Sequence, residues 1–111
     1  MLYVQRLPSA GDRPVVVALP IEIDLANATG VGERLAAACR SGVTRVIADL
    51  TLTSFCDASG AHMLAEAQRR ATGHGTELRF VIPGAWVRQV LEVAGVASLL
   101  EIYPSLEQAM A

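Results

Sequence analysis

Arg45-Val46-Ile47-Ala48-Asp49-Leu50-Thr51-Leu52-Thr53-Ser54-Phe55-Cys56-Asp57-Ala58-Ser59-Gly60-Ala61 is the stretch from which the fold can be read. Residues 45–50 are apolar on both faces up to Asp49, the pattern of a strand at the centre of a parallel sheet. A short polar loop follows, holding Cys56 in an exposed position. A helix is then expected from Gly60 to about Ala71, burying Leu64, Ala67 and Ala71, with Gly73 and Gly75 ending it. Ser59 stands where that helix begins. Its hydroxyl is held out of the core, next to first-turn N–H groups that have no helical partner. A serine so placed can cap the helix, act as a nucleophile or accept a phosphoryl group.

Working outward from this stretch, the remaining elements follow from periodicity. Residues 78–82 read as a strand stopped by Pro83. Val87, Val90, Leu91 and Ala94 recur at helical spacing over residues 85–94, with Gly95 as terminator. Residues 99–103 read as a short last strand, and Ser105-Leu106-Glu107-Gln108 has the spacing of a capping box at the start of a short helix. Upstream, residues 2–7 alternate as an edge strand, residues 8–12 form a turn, and residues 14–19 are a β-branched strand. Residues 20–24 lead out of it. Ala28, Val31, Leu35, Ala38 and Cys39 then mark a helix over residues 28–41, stopped by Gly42 and capped by Asp24 or Asn27. Gly30 and Gly32 weaken its first turns by about 1 kcal/mol each relative to Ala.

The resulting order, ββαβαβαβα, predicts one α/β domain over residues 1–111. Its sheet is mixed and mostly parallel, with an antiparallel N-terminal edge strand and four helices. The chain has 111 residues, enough for a single core. Apolar residues make up 52% and charged residues 18%, a balance that suits a compact fold. The net charge is −2 and the basic residues are scattered apart from Arg69-Arg70, so no basic face for nucleic acid is expected. No apolar run is long enough to span a bilayer and no signal peptide opens the chain, so the expected location is the cytoplasm, without membrane insertion. Cys39 continues an apolar helix face. The cysteine and histidine spacings give no metal site, and no cofactor is expected.

Two chemistries are excluded at the residue level. A nucleophile elbow needs glycine two residues before the serine, where this chain has Asp57, and His62 lies only three residues further on. A hydrolase, and with it enzyme activity, is not expected. A phospho-accepting receiver domain would place its aspartate near Asp49. It also requires a cluster of acids for Mg²⁺ and a lysine, and all nine basic side chains here are Arg. Phosphorylation of Ser59 itself remains open. It would add about −1.5 to −2 charges beside the positive end of a helix dipole, which the domain tolerates and a closely docked partner does not.

The segment Asp49-Leu50-Thr51…Phe55-Cys56-Asp57-Ala58-Ser59-Gly60 resembles the signature of the STAS domain of bacterial anti-sigma factor antagonists. There an Asp-Leu-Ser or Asp-Leu-Thr strand end leads to a Phe-x-Asp-Ser-Ser-Gly loop. The resemblance extends to Glu22-Ile23-Asp24-Leu25, to Val87-Arg88-Gln89-Val90-Leu91…Ala94-Gly95 and to Pro104-Ser105-Leu106-Glu107. It implies partner switching. The unphosphorylated antagonist binds an anti-sigma factor serine kinase and so frees the sigma factor; phosphorylation of the loop serine ends the complex, and a serine/threonine phosphatase restores it. Carried over, Ser59 is the phosphoacceptor, and Asp24, Asp57, Ala58, Ser59, Gly60, His62 and Met63 are expected on the partner-binding surface, with Asp57 shaping the loop. Trp86 and Met63 are expected to be packing residues, with the partner face as the alternative for either. The chain departs from the pattern at Ala58, the first loop serine in the family; at Pro20, usually Gly; and at His62, where small or apolar residues are usual. The alternative role is a STAS accessory subunit of a bacterial lipid-transport complex, or another non-sigma signalling scaffold.

Overall fold

The computed structural model describes residues 13–40 and 42–111. The antiparallel strand and turn expected over residues 2–12 lie outside the described residues. β1 (Val15–Ala18), β3 (Arg45–Asp49), β5 (Glu77–Val81) and β6 (Glu101–Tyr103) form one sheet in the order β1-β3-β5-β6. Every neighbouring pair in it is parallel, with Val17 opposite Ala48, Ala48 opposite Phe80, and Phe80 opposite Ile102. The helices that cross between strands are α1 (Ala28–Ala38), α2 (Ala58–Gly73) and α3 (Ala85–Val93), and α4 (Leu106–Met110) closes the chain. The alternating βα order thus gives the parallel sheet it predicts.

The pleat divides the core between the two faces. Val46 and Ala48 of β3, and Leu78 and Phe80 of β5, join the larger cluster with Val31 and Leu35 of α1, Leu64 of α2 and Leu91 of α3. Ile47 and Val81 point the other way, onto Ala109 of α4, with Tyr103 and Leu106 beside them. Arg79 fastens α4 to the sheet. Its guanidinium donates to the carbonyls of Ala109 and Ala111 at 2.7 and 2.9 Å, pairs with Glu77 at 2.9 Å, and lies over the Tyr103 ring. Ser105 caps α4 as its sequence predicts, accepting from the Gln108 N–H at 3.1 Å.

Several boundaries differ from the sequence expectation. α2 begins at Ala58, two residues early, because Asp57 rather than Ser59 is its N-cap. α1 ends at Ala38, with Cys39 as its C-cap. β5 starts at Glu77 and ends at Val81, and residues 97–99 form a single 3-10 turn before β6. Two short segments read as connecting chain, β2 (Glu22–Ile23) and β4 (Phe55–Cys56), pair as a parallel two-stranded ribbon. Cys56, expected in an exposed loop, lies within this ribbon and is buried.

All four main strands point the same way, so their C-terminal ends share one edge. The ladders continue one step past the strands there: Leu19 N–H donates to Asp49, Leu50 N–H to Val81 and Ile82 N–H to Tyr103. The loops into α1, α2 and α3 leave from this edge, which is where open parallel sheets carry their sites.

Candidate functional site

The site is built by the ribbon of β2 and β4. The Ile21 carbonyl accepts from Ser54 and Phe55, and the Ile23 carbonyl accepts from Asp57 N–H at 3.1 Å. The buried Thr53 hydroxyl donates to the Pro20 carbonyl at 2.8 Å, so the residue at the glycine position is held by its own carbonyl. Two loops distant in sequence are thereby locked side by side.

Asp57 then fixes both helix entrances. Its Oδ1 accepts from the Gly60 N–H at 3.0 Å, the N-cap bond of α2, and its Oδ2 accepts from the Leu25 N–H at 3.2 Å in the loop before α1. Asp24 organises its own turn. Its Oδ1 accepts from the N–H groups of Ala26 and Asn27, while Asn27 Oδ1 accepts from the Asp24 N–H and Asn27 Nδ2 donates to the Glu22 carbonyl. Asn27 occupies the N-cap position of α1 without a side-chain capping bond. Asp24 therefore braces the loop that Asp57 holds, and its carboxylate is committed there.

Gly60 is where α2 meets the ribbon. A Cβ built on it would stand 2.7 Å from Cys56 Sγ and 2.9 Å from Ile23 Cγ2. Its role is steric, and it is buried beneath the surface on which a partner-contact role was expected. The Cys56 thiol under it is pushed up to about 11, first by burial and then by the Asp57 charge, so it stays protonated at neutral pH. Burial raises Cys39 as well.

Ser59 is the second residue of α2 and is half-buried. Its hydroxyl makes no hydrogen bond among the described residues. It opens onto a groove of about 430 Å³ between α1 and α2, together with Leu25, Gly32, His62, Met63 and Arg70. Met63 packs partly into the core and lies against Gly32, so it is a packing residue at the groove floor. His62 and Ala58 are exposed and also line a second groove, about 530 Å³ and apolar, formed with Trp86, Gln89, Val90 and Val93 of α3. Trp86, read as a packing residue or a partner-face residue, is 61% exposed. Ile21, Leu25, Leu52 and Phe55 are exposed on the loops of the same edge. Large apolar side chains left in solvent around one polar feature make this edge the candidate interaction surface.

Sequence reasoning overlooked Ile21, Leu52 and Phe55 as part of this surface. Ile21 and Phe55 flank or belong to the β2–β4 ribbon, Leu52 lies in the loop before β4 and Trp86 in α3, and only the fold brings them to one edge. The Asp49 carboxylate accepts from the N–H and hydroxyl of Thr51, so it serves the turn after β3. Among the described residues no group of three His, Cys, Asp or Glu could hold a metal ion, and no helix is long and apolar enough to cross a membrane.

The family description "STAS domain" matches residues 5–109. Comparison with curated proteins finds no match. Among solved structures, the anti-sigma factor antagonist SpoIIAA in its unphosphorylated form is 22% identical, with a TM-score of 0.69 over 87% of this chain and 84% of that one. The Bacillus cell fate determinant SpoIIAA in the phosphorylated form is 21% identical, with a TM-score of 0.62 over 87% of each chain. The STAS domain of the SulP transporter from Vibrio cholerae is 24% identical, with a TM-score of 0.69 over 88% of this chain and 78% of that one. Likeness at this level of identity establishes the fold.

Proposed function

The chain belongs to the STAS domain family, and from that membership we propose that it is an anti-sigma factor antagonist switched by phosphorylation of Ser59. The observation that carries this reading is the setting of Ser59. Its hydroxyl is unengaged at the start of α2, and Leu25, Phe55, Ala58 and Trp86 are exposed on the elements and loops of the same edge. In this reading the unphosphorylated surface docks an anti-sigma factor serine kinase, and the sigma factor is released. The kinase transfers the γ-phosphoryl group of ATP to the Ser59 oxygen, the hydroxyl proton leaves, and ADP is the other product. A serine/threonine phosphatase reverses the step by hydrolysis. The domain itself acts by binding, as STAS domains generally do, and the cytoplasm is where such partners would meet it.

Phosphorylation leaves the domain folded because the new charge sits at a helix N-terminus, where an anion is favoured. The docked partner loses its fit instead. Incubation with the cognate kinase and ATP should add one phosphoryl group to the wild-type protein and none to Ser59→Ala. No transfer to the wild type would count against the switch.

A second reading is supported by the likeness to the SulP transporter STAS domain. In that reading the same surface serves a non-sigma scaffold, such as the accessory subunit of a lipid-transport complex. Co-purification with transporter subunits, in place of a kinase, would favour it.

A further inference from the structure

We propose that His62 donates a hydrogen bond to the phosphoryl group of phospho-Ser59, folding that group back over the first turn of α2 and across the mouth of the α1–α2 groove. The proposal rests on the reading of Ser59 as phosphoacceptor and adds a residue that holds the modified state.

The helix geometry brings the two together. Ser59 and His62 are three residues apart, so their Cβ atoms lie about 5–6 Å from one another on one face. Helical side chains lean toward the helix N-terminus, which carries the imidazole over the turn that contains Ser59. The grooves record this placement: His62 lines one with Ser59 and the other with Ala58, so it borders both residues of the first turn.

His62 is also free to take a new partner. It is exposed and makes no hydrogen bond among the described residues. On its own helix the carboxylate one turn on, Glu66, is already held by Arg69, with Arg69 Nε donating to Oε1 at 3.1 Å and Nη2 pairing with Oε2. Across the α1–α2 groove it faces Thr29 and Glu33 of α1, and across the other groove Trp86 and Gln89 of α3. A third hollow, shared with Gln68, Arg69 and Leu99, completes its surroundings. Arg70 lines the Ser59 groove but stands eleven residues along the helix, about 16 Å away by helical rise. His62 is thus the basic side chain within one turn of Ser59 on α2. An imidazole N–H donating to a phosphoryl oxygen favours the dianion and holds the group against the helix.

The test installs phosphoserine at position 59 during translation and follows the phosphorus NMR shift with pH in the wild-type background, His62→Ala and His62→Gln. The second ionisation of phosphoserine lies near pH 6. It should fall about 0.3 pH unit lower in the wild type than in His62→Ala, the size expected of an i,i+3 pair. His62→Gln, which keeps a donor, should lie between. Coinciding midpoints in all three proteins would overturn the proposal. Because the phosphate is installed without a kinase, this result is independent of whether a kinase recognises Ser59, which the transfer assay on Ser59→Ala decides separately.

Discussion

The Asp57 carboxylate accepts from two N–H groups in different parts of the chain, Gly60 in α2 and Leu25 before α1. A charged acceptor serving two backbone donors contributes more than an ordinary cap. Asp57→Ala should destabilise the domain by about 2 kcal/mol, with Asp57→Asn costing less because an amide oxygen can still accept one of the two bonds. Urea unfolding checks this, and equal stability of Asp57→Ala and wild type would refute the double role. The sequence showed an acid beside a helix start, and the family resemblance gave it the task of shaping the loop. It could not show the Leu25 bond, because that contact joins positions 32 residues apart. Ser59 was read as a possible cap for the same reason: Asp and Ser cap about equally well, and only the backbone shows which one precedes the first turn.

At the scale of elements, the β2–β4 ribbon sets how closely α2 approaches. Adding one methyl at Gly60 would force Cys56 Sγ and Ile23 Cγ2 apart, so Gly60→Ala should cost about 1–3 kcal/mol. A shift of the urea midpoint with an unchanged slope is the expected signature. The ribbon was not legible in the sequence, since two-residue strands carry no period and their pairing depends on loops that meet only in the fold. The central strands and α3, with longer apolar patterns, were legible.

On the opposite face of the sheet, hydrogen bonding from Arg79, with Arg45 also pairing at 3.3 Å, holds the Glu77 carboxyl below its ordinary value of 4.5. A depressed folded-state value means that this contribution is complete above the unfolded value and disappears as pH falls through the folded one. Glu77→Gln should therefore be less stable than wild type at neutral pH, and the gap should narrow on acidification below about pH 4.5. A gap that widens would contradict the assignment.

Across the whole molecule, the parallel sheet gathers three helix entrances at one edge, and Ser59 stands among them with exposed apolar side chains on the surrounding loops. The composition and the βα order disclosed this architecture, and the Asp49 to Gly60 segment pointed to the candidate site. The outward-facing apolar residues were hidden because sequence hydrophobicity is the same whether a side chain meets the core or a partner. In the proposed function this edge is a docking surface whose fit depends on the charge at Ser59. The most direct measurement is the affinity of the cognate anti-sigma factor kinase for the protein before and after phosphorylation of Ser59, with the fold monitored alongside. A loss of about a thousandfold, equivalent to about 4 kcal/mol, with unfolding unchanged, is expected. Undiminished affinity of the phosphorylated protein would contradict it.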